Sequence, residues 1–500
     1  MGPPSDDHNC GWKTRATDLE AKLEETAAKL EEVAAKMAAM ERRILGPKSE
    51  KLPPIDREVR KERPADPAAT QAARRKNAEL RATRVVSEDV PHKVPDDERA
   101  CPKCGGHDLR PVGAGKVSVV LDYVPGHFRR RQHIRETLAC TCGDHIVTAP
   151  GPDHSVEGAR YGDSFRAFVV TSKCADAIPV YRQAKMMSRL GVPISRSTLT
   201  DLFHQAAGQL APLSRRLLEL VAAAEVVQAD ETSLKMQKPN KRGFVWTFLA
   251  EKLVAYVFSG SRSGETPSTV LGASAGTLVV DMYTGYNEVT TTGGRTRAAC
   301  LAHARRRFFD ALSYAPEART PLELIRDVYV VEHDAKAEGI ARTDAHTRLR
   351  NARSRPIMDR LHAWLEERKD QYAPKSPMAS AVRYALNSWE ELTRFLDDAR
   401  IPPDNNRSES ALRVVALGRK NFMFVGHEEA GDNIAGLYSL TATCEANGSP
   451  FGLARITKQL TFHRIEAVRG GEKAITVGIA HDDARGLRAD FNDVSVRHFR

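Results

Sequence analysis

Val226-Val227-Gln228-Ala229-Asp230-Glu231-Thr232-Ser233-Leu234-Lys235-Met236 is the stretch on which the fold turns. It reads as a β-strand that buries Val226 and Val227 and then presents a carboxylate, Asp230. Two more strand-like runs follow across short turns, Gly243–Ala250 and Leu253–Ser259, the first turn containing Pro239-Asn240-Lys241. A polar segment, 260–275, has room for a short helix. Gly276-Thr277-Leu278-Val279-Val280-Asp281 is then a fourth, fully buried strand that also ends in a carboxylate. Three antiparallel strands, a helix and a parallel strand form the opening of a ribonuclease-H-like α/β core. In that arrangement the first and fourth strands lie side by side and their end carboxylates converge.

Downstream, residues 301–400 are helix-compatible throughout and too long for a simple connection. They read as a helical insertion within a core that spans 224–300 and resumes at 401–463. Pro402-Pro403-Asp404 opens a helix from Asn405 to about Leu417. Asn405, Glu409 and Arg413 are spaced i, i+4, i+8 on one face, with Leu412 and Val415 on an adjacent apolar face. Two strand-end aspartates and a helix-borne glutamate are the donor set of a two-metal phosphoryl-transfer site. Mg²⁺ is a hard cation that takes carboxylate oxygens plus substrate phosphates. Any one of the three acids alone reads equally well as a strand terminator or an ion-pair partner.

Upstream, residues 15–45 form a zipper helix. Leu19, Leu23, Thr26, Leu30, Val33, Met37, Met40 and Ile44 step by 4 and 3, a seam suited to dimerisation. Residues 46–98 are a basic linker. From Arg42 to Arg84 there are 13 Lys/Arg against 6 Asp/Glu, and a helix around Ala68–Val85 sets Arg74, Arg75 and Lys76 where they can neutralise phosphates. Residues 99–150 carry Cys101-Pro-Lys-Cys104-Gly-Gly and Cys140-Thr-Cys142, read as a structural zinc ribbon. The second pair is one residue short of the usual spacing, and His145 is an alternative fourth ligand. Residues 160–222 are helical. They contain Leu190-Gly191-Val192-Pro193-Ile194-Ser195-Arg196-Ser197-Thr198-Leu199, a helix-turn-helix pattern in which Ser195 caps the second helix and Arg196, Ser197 and Thr198 lie at its start. Plain helix packing is the competing reading. Residues 464–500 read as a tail.

The 500-residue chain has a net charge of +10 and 41% hydrophobic residues, enough for several buried cores. An aromatic share of 6% argues against a β-sandwich or ligand-binding barrel. Eight cysteines in two close pairs and four scattered positions favour metal over a disulfide framework. No leader or membrane span is visible, so a cytoplasmic protein is expected.

Taken together, these motifs resemble the insertion sequence 66 family of bacterial DDE transposases over roughly residues 15–463. The resemblance rests on Ile44–Leu52, the C-x-x-C-Gly-Gly ribbon, residues 190–199, and Ala-Asp-Glu-Thr at 229–232. It rests further on Asp281 with Tyr283-Thr-Gly-Tyr286-Asn287, Cys300-Leu-Ala-His303-Ala-Arg-Arg306-Arg307-Phe-Phe, Asp404-Asn-Asn with Glu409, and Leu417-Gly-Arg419-Lys420-Asn421. It implies that Asp230, Asp281 and Glu409 are the catalytic triad, working with two Mg²⁺ or Mn²⁺ ions. It also implies cleavage and joining of element ends by a 3′-hydroxyl, and allows small accessory proteins. His303, Arg306, Asn405, Arg413, Arg419 and Lys420 become candidate DNA contacts. Met282 stands where the family usually has Gly. The alternative is a catalytically inactive, transposase-derived DNA-binding regulator.

Overall fold

The computed structural model describes residues 160–448 continuously, with residue 15, parts of 18–29, 67–84, 126, 128–139 and 146–150. The four paired cysteines, most of the zipper seam and the tail lie outside the described residues. The chain divides into two compact units, Pro53–Arg130 and the remainder.

In the smaller unit the described element is helix α1 (Pro67–Arg84), on which Arg74, Arg75 and Lys76 are exposed. In the larger unit, residues 18–23 are helical with Leu19 and Leu23 exposed. A short hairpin, β1 (Thr137–Ala139) with β2 (Ile146–Thr148), is antiparallel and flanks the second cysteine pair in sequence.

Three helices precede the sheet: α2 (Asp163–Cys174), α3 (Val180–Arg189) and α4 (Arg196–Ala222). Ser195 caps α4 as expected, its hydroxyl accepting from the Thr198 N–H at 3.1 Å. The body of α4 is a core helix, with Leu199, Leu202, Phe203, Ala206 and Leu210 all buried. In its first turn Arg196 and Ser197 are exposed.

The sheet runs β3 (Val226–Met236), β4 (Arg242–Ala250), β5 (Leu253–Ser259), β6 (Gly276–Val280) and β7 (Arg295–Ala299), in spatial order β5-β4-β3-β6-β7. The first three are antiparallel neighbours; β6 pairs parallel with both β3 and β7. Thus the first and fourth predicted strands do lie side by side. Val227 is buried as expected, while Val226 is only half-buried. Alternation along β3 and its partners sends Val227, Ala229, Trp246, Phe248, Leu278 and Val280 into one core, closed by Leu271, Tyr286 and Val289. The turn into β6 requires a glycine: Gly276 has φ +119°, and a Cβ there would sit 2.2 Å from the Glu225 carbonyl oxygen. We expect Gly276→Ala to lower stability by at least ~2 kcal/mol, read as a shifted denaturant midpoint.

β5 is a sheet edge, and the chain's last described helix, Glu428–Ala446, covers it. Ser439 Oγ accepts from the Tyr256 N–H at 2.7 Å, and Thr443 Oγ1 from the Val254 N–H at 3.0 Å. Backbone donors that would otherwise invite another strand are thereby satisfied. Between 301 and 396 the chain is helical, beginning with Leu301–Ala311. Its interior includes Arg350, 1% exposed, which donates to both Glu332 carboxylate oxygens at 2.7 Å and to the Asp398 and Ile401 carbonyls.

The expected single helix from Asn405 to Leu417 is instead two, Asn406–Ala411 and Arg413–Phe422, with Leu412 between them. Leu412 and Val415 are buried, as their apolar face required. A two-residue strand, β8 (Phe424–Val425), then pairs parallel with the far end of β3.

Candidate active site

The pairing of β3 with β6 aligns Val226 with Thr277, Val227 with Leu278 and Gln228 with Val279. Asp230 and Asp281 each lie two residues beyond the last paired positions, Gln228 and Val279, so both follow the pairing toward the carboxyl end of β6, where ligands of open α/β sheets characteristically bind. Asp281 closes a local turn, its carboxylate accepting from the Tyr283 N–H at 2.9 Å.

Glu409 reaches the same end of the sheet because its helix is pinned there. Asn405, 2% exposed, donates its amide to the Ala229 carbonyl at 2.7 Å. Its own N–H donates to Cys300 Sγ at 3.2 Å, Gln228 donates to the Asp404 carbonyl at 3.1 Å, and the Leu301 N–H donates to the Pro403 carbonyl. These bonds tie the segment before Glu409 to β3 and to the end of β7. Asn405, among the candidate DNA contacts above, is thus occupied within the fold. It is a buried dock, while Glu409 and Arg413 remain exposed. Replacing it with alanine leaves the Ala229 carbonyl without its donor. Asn405→Ala is expected to cost about 1–3 kcal/mol in unfolding free energy, and a chemical denaturation curve matching the unmodified chain would refute the docking role.

His303, on the helix that begins at Leu301, places Nε2 3.9 Å from Glu409 Oε1. Its Nδ1 is buried with no hydrogen-bond partner among the described residues. Arg306 is exposed on the same helix, as is Lys420 on Arg413–Phe422. Arg419 is half-buried and braced: its Nη1 donates to Thr232 Oγ1, the Ser233 carbonyl and Ser233 Oγ at 3.1, 2.8 and 3.2 Å.

Burial pushes the Asp230 carboxyl up to about 8. The negative charge of Glu231 is the next contribution to that value, the Glu231 N–H donating at 2.8 Å opposes it, and Glu409 and Asp281 add smaller upward contributions. The three acids thus lie within electrostatic reach of one another. Among the described residues, no group of three or more His, Cys, Asp or Glu is arranged to hold a metal ion. The chemistry of the donor set nevertheless fits a hard divalent cation: the acids bring oxygen donors only, and Asp230 sits in surplus negative charge that a cation would neutralise.

Glu231 is directed elsewhere. Its carboxylate, 4% exposed, accepts from Arg262 Nε and Nη2 at 2.9 and 2.6 Å and from Tyr286 Oη at 2.8 Å. Arg262 also lies over the Tyr283 ring, 4.2 Å from its centroid. Sequence reading passed over Arg262, which lies in a polar loop without periodicity; only its excess positive charge beside two glycines and three serines was visible.

Residues 158–433 match the family model described as transposase IS66 family, and residues 98–143 match the zinc-finger binding domain of transposase IS66. Similar proteins include two from Sinorhizobium fredii (strain NBRC 101917 / NGR234). One, described as uncharacterized protein y4jD, is 33% identical over 377 residues, covering 71% of this chain and 73% of its own. The other, uncharacterized protein y4hP, is 30% identical over 419 residues, covering 76% and 75%.

Proposed function

The chain belongs to the IS66 family of transposases, and from that premise we propose that it cleaves and joins DNA at element ends, with Asp230, Asp281 and Glu409 as the catalytic carboxylates of a ribonuclease-H-like core. What supports this reading is the parallel pairing of β3 with β6, which ends two residues before Asp230 and Asp281, together with the docked segment before Glu409 and the electrostatic influence of Asp281 and Glu409 on Asp230.

These carboxylates are the groups that would hold Mg²⁺ or Mn²⁺. Bound there, the cations would activate an attacking oxygen and offset charge on the leaving oxygen of an in-line displacement. The chain's own part is positional. Asn405 fixes the Glu409 helix against β3. Arg262 and Tyr286 hold Glu231 on the opposite face of the strand, so that it does not compete with Asp230. In the first step water displaces the 3′-oxygen of a phosphodiester and leaves a free 3′-hydroxyl. In the second, that hydroxyl displaces an oxygen at a target phosphodiester, forming one bond and breaking one, with no protein-linked intermediate.

We further assign DNA gripping to Arg74, Arg75 and Lys76, to the helix start at Arg196, Ser197 and Thr198, and to His303, Arg306, Arg413, Arg419 and Lys420. A zinc ribbon is assigned to Cys101, Cys104, Cys140 and Cys142, and dimerisation to residues 15–45. Among the described residues, no helix is long and apolar enough to cross a membrane. Incubating the full chain with Mn²⁺ and DNA carrying the element's terminal repeats tests the reading: it predicts nicked ends with 3′-hydroxyls and joined products. Binding without any cut or joined product would reduce the chain to a DNA-binding regulator.

A further inference from the structure

Beyond the carboxylates, β3 and β4 end in a hairpin with an unusual concentration of charge. Lys235 and Arg242 are direct cross-strand partners. Like charges directly opposite in an antiparallel pair repel each other and weaken the hairpin. The two residues open onto a cavity of ≈ 600 Å³ that is also lined by Lys241 and Arg419. Ser233 and Asn240 add hydroxyl and amide groups, and among the described residues no carboxylate lines the cavity. Glu428 stands near one cation: a Cβ added at Gly260 would lie 2.8 Å from Lys241 Nζ and 3.2 Å from Glu428 Oε1. One acid against four cations leaves the pocket strongly positive.

Two features indicate a formed site rather than a loose surface. Arg419 is fixed by its bonds to Thr232 and Ser233. On the rim, Met423 has φ +63° and is 67% exposed, a backbone conformation that is costly for a side chain of this size and that clusters at functional positions.

We propose that this pocket binds the phosphodiester backbone of DNA, as a subsite separate from the one where the strand is cut. The proposal rests on the DNA-processing function argued above and extends it to Lys235, Lys241 and Arg242. Lys235 lies five residues along β3 from Asp230, a span of ~17 Å, and alternation places it on the strand face opposite Asp230. A phosphate held here is therefore not the reacting one; it belongs to backbone flanking the cut. Multiple cations with hydroxyl and amide donors suit phosphate oxygens and carry no base readout.

The test is DNA binding by the full chain as a function of salt, with a Lys235→Gln/Arg242→Gln variant and a Lys252→Gln control on the hairpin at the opposite end of β4. The variant should bind ~10-fold more weakly near physiological salt, and its log K against log salt slope should fall by about 1.8, ~0.9 per lost phosphate contact on duplex. The control should match the unmodified chain. An unchanged slope in a variant that keeps its melting temperature overturns the pocket and leaves the proposed function standing. A second measurement on the unmodified chain covers a variant that fails to fold. DNA should protect Lys235 and Lys241 from acetylation, and labelling that proceeds equally with and without DNA overturns the proposal. Protection by inorganic phosphate but not by DNA overturns the assignment to a DNA backbone. If the unmodified chain binds no DNA at all, the pocket fails together with the functional reading.

Discussion

Asp230→Asn should abolish cleavage and joining of element-end DNA, by at least ~10³-fold in rate, while leaving DNA affinity within about twofold. The asymmetry follows from the site. Asparagine keeps the shape of the side chain and can still accept from the Glu231 N–H, which donates to Asp230 Oδ1 at 2.8 Å. What disappears is the ionisable oxygen pair on β3 that lies within electrostatic reach of Asp281 and Glu409. Asp281→Asn and Glu409→Gln should behave alike, whereas Glu231→Gln should retain a larger share of activity, since Glu231 is committed to Arg262 and Tyr286. Full activity in Asp230→Asn, or loss in Glu231→Gln alone, would reverse the assignment of the two neighbours. Gel-resolved single-turnover cleavage, with binding measured separately, distinguishes these outcomes.

The same substitution should stabilise the metal-free protein at neutral and alkaline pH. Asp230 is raised to about 8 in the folded chain, well above the ~3.9 of an unfolded aspartate. Between those values the folded state holds a proton that the unfolded state has released, so stability from this group is greatest at the acid end and is lost as pH rises toward 8. Asparagine has no such proton to lose. The variant and the unmodified chain should therefore have similar stabilities near pH 4, and the variant should be ahead by a few kcal/mol by about pH 8 to 9. Saturating Mn²⁺ should narrow the gap by stabilising only the unmodified chain. Taking the difference between the two proteins cancels the other groups, including Glu332 and Asp398, whose lowered values contribute in the opposite sense. Parallel pH profiles from denaturant melts would contradict the crowded-carboxylate account.

The parts of this arrangement that could be read from sequence are those written in apolar periodicity. The strands Val226–Met236 and Leu253–Ser259 coincide with their apolar runs, and Gly276–Val280 differs by one residue. The strand Arg295–Ala299 was missed because its sequence, Arg-Thr-Arg-Ala-Ala, looks like surface. Both arginines are buried, at 2% and 7% exposure. Arg295 donates to the Ala222 and Ala224 carbonyls, and Arg297 to Asn287 Oδ1. Those partners lie up to 73 residues away, so no local pattern can announce them. The break at Leu412 and the burial of Asn405 were hidden for a similar reason: an i, i+4, i+8 stripe assumes one continuous helix. The cationic pocket depends on the Lys235–Arg242 register, which a hairpin of unspecified turn length leaves open. The candidate acids, by contrast, could be named, although only Asp281 follows the end of a strand: Asp230, read as a strand-end acid, lies in the middle of β3, Val226–Met236, and its approach to the others depends on the sheet order.

Asp230, Asp281 and Glu409 are proposed to act as one cation-binding set. Anomalous diffraction from crystals of the full chain grown with Mn²⁺ and element-end DNA tests this directly. The predicted result is a manganese peak about 2.1 Å from carboxylate oxygens of Asp230 and Asp281, with Glu409 coordinating the same ion or a second one beside it. A well-ordered complex whose manganese lies elsewhere, with these three carboxylates unligated, would contradict it.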